Sequence, residues 1–294
     1  MDYNNFDHEK LVEVMNGLDK TYANVFTFGQ SVQGRSLLCA SIGRGEEKVF
    51  LNGAHHALEW ITASLLGSWC VDYIDAIKSG GDIGGKKAAD LFEKCTYYIA
   101  PMINPDGVNL VINGLSPDNP QYLPIMEILG DQDVQKVWQA NIRGVDLNHN
   151  YDALFEEYAK IAAESGYGQP GPRRYPGPFP FSEPETEAVR KLVLDEEFPL
   201  AVAFHSQGEV IYWSFNGFGF YLEARALADA SGYALDTAQG ISSYSGFKDW
   251  YLDKFNLPAF TVEVGLGENP LPFDQFDKIK ADCYPLIARC ADLV

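Results

Sequence analysis

Short apolar runs alternate along this chain with longer stretches in which apolar residues return every three or four positions. Residues 48–52, KVFLN, end at Gly53 and predict a short strand. From about residue 60 to 77 the apolar positions recur at helical spacing, which predicts a helix. The glycines of SGGDIGGKK, residues 79–87, mark a loop. Residues 96–100, TYYIA, predict a second strand, which runs into Asn104-Pro105-Asp106-Gly107, a turn sequence. Residues 200–204 and 259–262 are almost wholly apolar, as strands are in a sheet covered on both faces.

Ser182-Glu183-Pro184-Glu185 has the form of a capping box and predicts a helix running to about Leu194. Residues 175–181, rich in proline and glycine, form an extended loop before it. There is no internal repeat and no linker. Strands alternating with helices predict an α/β fold, a single domain over residues 1–294 with a mixed, largely parallel central sheet flanked by helices.

Charge narrows the choice of partner. The chain has 22 basic and 41 acidic residues, a net −19 with histidines neutral. Such a balance argues against a nucleic-acid partner, and an anionic ligand would need a few local cations to hold it. The five cysteines, Cys39, Cys70, Cys95, Cys283 and Cys290, are odd in number and show no CxxC pair. They are expected as buried reduced thiols. No apolar run approaches the length of a membrane span, and the N-terminal residues lack a secretory pattern, so a cytoplasmic protein is expected.

Of five histidines, His8 lies in an acidic N-terminal segment and is expected at the surface. In HHALEW, His56 and Glu59 stand three apart, so a nitrogen and a carboxylate can project to one side of a turn or helix start. Alone, this spacing equally describes a helix-entry histidine beside a solvated glutamate. His205 closes the apolar run LAVAFHSQG, where open α/β sheets place functional groups, although a satisfied core histidine would also fit. Together the three make a His-Glu…His set with one coordination position open, which suits catalytic zinc. Glu263 closes PAFTVEVG and would face the same end of the sheet, as a general base for water.

The runs HALEW, INPDG, GVDLN, FHSQG and FTVEVG, in this order, resemble the zinc metallocarboxypeptidases of the carboxypeptidase A type from about Phe28 to Pro272. The resemblance implies one Zn2+ per chain held by His56, Glu59 and His205, with Glu263 as the catalytic base. It implies further that Asp146 accepts a hydrogen bond from the outer nitrogen of His56, and that Arg143 stabilises the oxyanion. Tyr244 would be the mobile tyrosine that covers the substrate.

Two departures bear on specificity. Typical members read Asn-Arg-Asn where this chain has Asn148-His149-Asn150, and Leu58 replaces an arginine common between the first two ligands. The missing arginine at 149 would clamp the substrate's terminal carboxylate, and histidine cannot reproduce its fork. FLNGAHHALEWIT, ANIRGVDLNHNYDA and YSGFKDWYLDKF look more like the γ-D-glutamyl-L-diamino-acid peptidases, which cut bacterial wall peptides between D-glutamate and meso-diaminopimelate. Lys248 falls where family members place the floor of the side-chain pocket. A lysine there could pair with the distal carboxylate of diaminopimelate, although an exposed helix lysine is the plainer alternative. The expected partner is a murein peptide; the alternatives are a general carboxypeptidase and a non-catalytic peptide-binding module.

Overall fold

The computed structural model describes residues 2–238 and 244–294. Four strands form the middle of an eight-stranded sheet and run parallel in the spatial order Cys95–Ala100, Glu47–Gly53, Leu200–His205, Ala259–Glu263. Ser36–Ile42 and then Ala23–Gln30 add antiparallel neighbours at one side. At the other side Val210–Tyr212 runs antiparallel to Ala259–Glu263, and Ala234–Asp236 closes the sheet parallel to it. The architecture is the mixed α/β sheet expected from the sequence.

Burial accounts for the apolar runs. All six residues of Leu200–His205 are buried. Its alternate side chains enter different cores, because successive strand residues point to opposite faces. Leu200, Val202 and Phe204 join a cluster with Val49, Leu51 and residues of the helices Trp60–Ser79 and Phe276–Cys290. Ala201 and Ala203 join Phe50 and residues of Pro184–Glu196 and Phe247–Phe255 on the other face. Helices therefore cover both faces, and the strands need no polar side.

The helix foreseen at 60–77 is Trp60–Ser79, closed by Gly80 in the left-handed conformation with φ 68°. The loop foreseen at 79–87 contains a small ribbon, Asp82–Ile83 against Lys86–Lys87. The turn foreseen at 104–107 is instead a helix start: Asn104 caps Pro105–Asn113 by accepting from the Gly107 amide at 2.9 Å, and proline occupies the first turn. The capping box at 182–185 does not form. Glu183 is the cap residue, without a side-chain cap bond, and Glu185 turns inward to accept from the Val32 amide at 3.1 Å. His8 is half-buried rather than exposed, its Nε2 lying 3.0 Å from the Ser36 carbonyl. All five cysteines are buried. Among the described residues no helix is long and apolar enough to cross a membrane.

One consequence of the register matters for chemistry. Glu263 pairs with His205, and Gly53 pairs with Phe204, so three parallel strands end along one line. The residues that follow each strand emerge at the carboxyl edge of the sheet.

Candidate metal centre and cleft

After Gly53 the chain makes a short 3-10 turn, Ala57–Glu59, before the long helix begins. That turn brings His56 and Glu59 to one side: His56 Nδ1 lies 2.8 Å from Glu59 Oε1. His205, at the end of its strand, places Nδ1 2.9 Å from Glu59 Oε2. One ligand atom from each of the three lies within 4.8 Å of the others. Two ring nitrogens and a carboxylate form a donor set suited to zinc.

The surroundings fix these donors. The outer nitrogen of His56, Nε2, lies 3.0 Å from Asp146 Oδ1, and Asp146 Oδ2 accepts from the Arg174 amide at 2.8 Å. The Ser206 amide donates to Glu59 Oε2 at 3.2 Å. Asn269 Nδ2 donates to the Ser206 carbonyl at 2.6 Å and lies 3.4 Å from Glu59 Oε1. His55, fully buried, stacks on His205 with ring centroids 5.6 Å apart, and its Nε2 lies 2.8 Å from the Tyr151 hydroxyl. Each donor is held by a carboxylate, an amide or a packed ring.

Charge favours a cation here. Burial alone would raise the Glu59 carboxyl, but His56 and His205 outweigh it and bring its pKa to about 2. Burial opposes protonation of His56, yet Glu59 and Asp146 raise its pKa well above the usual histidine range. The two carboxylates thus hold positive charge between them, and the site fits a divalent ion. Glu263 behaves oppositely: burial, reinforced by the Glu59 charge and only partly offset by His56, raises its pKa well above the carboxylate range.

Two cavities meet at Glu263. One, of about 480 Å³, is lined by His56, Asn148, His149, Lys248, Asp249 and Glu263 among others. The second, of about 500 Å³, is lined by Leu58, Glu59, Arg173, Gln207, Glu263 and Glu268 among others. Tyr212 borders both. Asn148 Oδ1 accepts from the Phe247 amide at 3.1 Å, which ties this wall to the helix carrying Lys248. His149 stacks on Tyr158 at 4.1 Å, and its Nδ1 lies 2.9 Å from the Tyr244 carbonyl. Burial lowers its pKa, so the ring stands neutral. Lys248 is buried, not exposed on a helix face; its ammonium donates to the Ser214 carbonyl at 2.7 Å and pairs with Asp249.

Two expected site residues, Arg143 and Tyr244, lie outside both cavities. A tight turn, in which the Gly144 amide donates to the Asn141 carbonyl at 3.0 Å, directs the guanidinium of Arg143 to within 3.5 Å of Glu183 Oε2, half exposed. The cleft's guanidinium is that of Arg173. Tyr244 is half-buried against the cluster that contains Phe247 and does not line either cavity. The tyrosine at the junction is Tyr212. Sequence reading missed Arg173, Tyr212, Asp249 and Asn269. Adjacent arginines between prolines, in PRRYP, were an available signal in so acidic a chain.

Comparison with known proteins agrees with this geometry. The zinc carboxypeptidase family profile matches residues 9–284. The chain is 35% identical over 283 residues to the γ-D-glutamyl-L-diamino acid endopeptidase 1 of Lysinibacillus sphaericus, covering 94% of this chain and 69% of that one. Bovine thrombin-activatable fibrinolysis inhibitor, solved in complex with tick carboxypeptidase inhibitor, superposes with a TM-score of 0.72 at 15% identity over 99% of this chain and 97% of the other. Murein-tripeptide amidase MpaA from Escherichia coli O157 gives a TM-score of 0.57 at 19% identity over 94% and 95%. These two likenesses are of fold.

Proposed function

The chain is a member of the zinc carboxypeptidase family of metallopeptidases, and from that membership we propose that it hydrolyses the γ-D-glutamyl–meso-diaminopimelate bond of bacterial cell-wall peptides. The observation that carries the reading is the convergence of His56, Glu59 and His205 beside Glu263, where two cavities meet. The substrate class is supported by the 35% identity to the Lysinibacillus endopeptidase over 94% of this chain. It is supported also by the neutral His149 in the place of a carboxylate-clamping arginine.

His56, Glu59 and His205 would hold one zinc ion. When bound, the ion would supply Lewis acidity, polarising the scissile carbonyl and easing deprotonation of a water. With the ion bound, Asp146 would keep the His56 ring in the tautomer whose inner nitrogen carries a lone pair, since its carboxylate accepts a hydrogen bond from the outer N–H. Glu263 would accept the proton of the attacking water and return it to the departing amine. In the smaller cavity, the buried Lys248–Asp249 pair offers a cation and an anion side by side, matching the carboxylate and ammonium at the far end of meso-diaminopimelate.

Incubation with L-alanyl-γ-D-glutamyl-meso-diaminopimelate should release free diaminopimelate, cease with chelator and resume with added zinc. The peptide with L-lysine in place of diaminopimelate lacks the distal carboxylate and should react roughly ten-fold or more slowly. Equal rates on the two would remove Lys248 from recognition. Matching turnover of a blocked dipeptide ending in phenylalanine would identify a general carboxypeptidase instead.

A further inference from the structure

We propose that Arg173 selects γ-linked glutamyl substrates by binding the free α-carboxylate that a γ-linkage leaves beside the scissile bond. The inference rests on the substrate reading above and adds the residue that reads the acyl side. In a γ-D-glutamyl peptide the reacting carbonyl belongs to the side chain. The α-carboxylate stays ionised, separated from that carbonyl by the α-carbon and two methylene groups. An α-peptide has no such anion there unless its acyl-side residue is itself glutamate.

If diaminopimelate occupies the cavity floored by Lys248, the glutamyl residue occupies the other, beyond Glu263. That cavity is hostile to an anion, because the carboxylates of Glu59 and Glu268 line it in a chain of net charge −19. A local cation is required. Two cationic side chains line the cavity, Lys136 and Arg173. Both are exposed, but Lys136 is already paired, its Nζ lying 3.4 Å from Asp133 Oδ2. Arg173 has no ion-pair partner among the described residues, although the chain is rich in carboxylates. Arg143, the arginine that sequence reading placed in the cleft, is engaged with Glu183.

The backbone that carries Arg173 is anchored to the metal centre. The Pro172 carbonyl accepts from the Gln139 and Ala140 amides at 2.8 and 3.0 Å, and the Gln139 carbonyl accepts from Ala57 at 2.9 Å, within the turn that carries Glu59. On the other side, the Arg174 amide donates to Asp146, the carboxylate that orients His56. Arg173 is therefore rooted at a fixed distance from the reacting centre while its guanidinium stays unpaired. Leu58, which lines the same cavity, offers no competing charge. A planar fork of donors in that position suits a carboxylate received in bidentate fashion.

The test compares wild-type, Arg173→Gln and Arg173→Lys enzymes on two peptides, L-alanyl-γ-D-glutamyl-meso-diaminopimelate and the same peptide with its glutamyl α-carboxylate converted to the amide. Wild type should prefer the free carboxylate by roughly ten- to a hundred-fold in kcat/KM. Arg173→Gln should erase that preference mainly through KM, leaving the amide substrate nearly unaffected, and Arg173→Lys should restore part of it. Equal wild-type rates on the two peptides, or equal losses on both in Arg173→Gln, would overturn the assignment; the second result would mean that the guanidinium acts on the reacting carbonyl. Cleavage of neither peptide by the wild type would overturn the substrate reading itself, and this assignment with it.

Discussion

The side chains that matter most here were accessible to sequence reading because they are scarce. With five histidines in the chain, a third metal donor had few candidates, and His205 stood at the end of an apolar run. Where Arg143 and Tyr244 point was not legible, because a tight turn and a packed cluster decide it, and neither leaves a periodic trace. Glu263 was legible as a strand-end carboxylate, and its role is testable by itself. Glu263→Gln should lower kcat/KM by about a hundred- to ten-thousand-fold, with zinc content by atomic absorption unchanged. Undiminished turnover would assign the proton transfer to another group. Glu185 gives a second residue-scale prediction, on stability. Burial, opposed by backbone hydrogen bonds from its own amide and that of Val32 and reinforced by Asp106 and Glu183, raises its pKa from 4.5 to about 7. The folded state therefore binds this proton more tightly than the unfolded chain. Its stabilising contribution is full below about pH 4.5 and is lost as pH rises through about 7, a change of roughly 3 kcal/mol. Glu185→Gln should flatten the fall in urea midpoint across that window. A variant that loses stability with pH as steeply as wild type would show that other groups govern it.

At the scale of elements, the strands buried on both faces were readable and the short ones were not. Residues 200–204 and 259–262 announce themselves because both faces are apolar, whereas Val210–Tyr212 and Ala234–Asp236 are too short to show a period. Asn104-Pro105-Asp106-Gly107 misled because the same residues serve a turn and a helix cap. Asn104 does more than cap: its Nδ2 donates to the His55 carbonyl at 3.1 Å and the Ala140 carbonyl at 3.0 Å, tying the segment before His56 to the segment before Asp146. Gly107 is required by that closeness. A Cβ there would stand 2.6 Å from the Ala140 carbonyl oxygen and from the Asn104 side chain. In an open helix Gly→Ala is favourable by about 1 kcal/mol. Here Gly107→Ala should instead destabilise by about 2 kcal/mol, measured by denaturant unfolding, since neither backbone carbonyl nor cap can retreat freely. A neutral or stabilising result would mean that the 138–141 segment is free to shift.

For the molecule as a whole, the layered α/β architecture followed from the alternation of runs, but the cleft did not. Its walls come from loops near residues 136–139, 172–173, 206–207 and 267–269, which are far apart in sequence and have no shared pattern. Charge governs the metal centre that they border: two carboxylates, Glu59 and Asp146, hold a proton on His56. A metal ion must displace that proton, so zinc affinity should rise with pH, and binding near neutrality should release about one proton. Calorimetry in buffers of different ionisation enthalpy reads this directly; no proton release would contradict the electrostatic description of the site. The most direct test of the central claim, that three distant donors converge on one ion beside Glu263, is a crystal structure of the zinc-loaded enzyme with data at the zinc absorption edge. The account predicts one strong anomalous peak bounded by His56 Nδ1, a Glu59 carboxylate oxygen and His205 Nδ1. A peak held by other residues, or a zinc-free centre beside a zinc bound elsewhere, would contradict it.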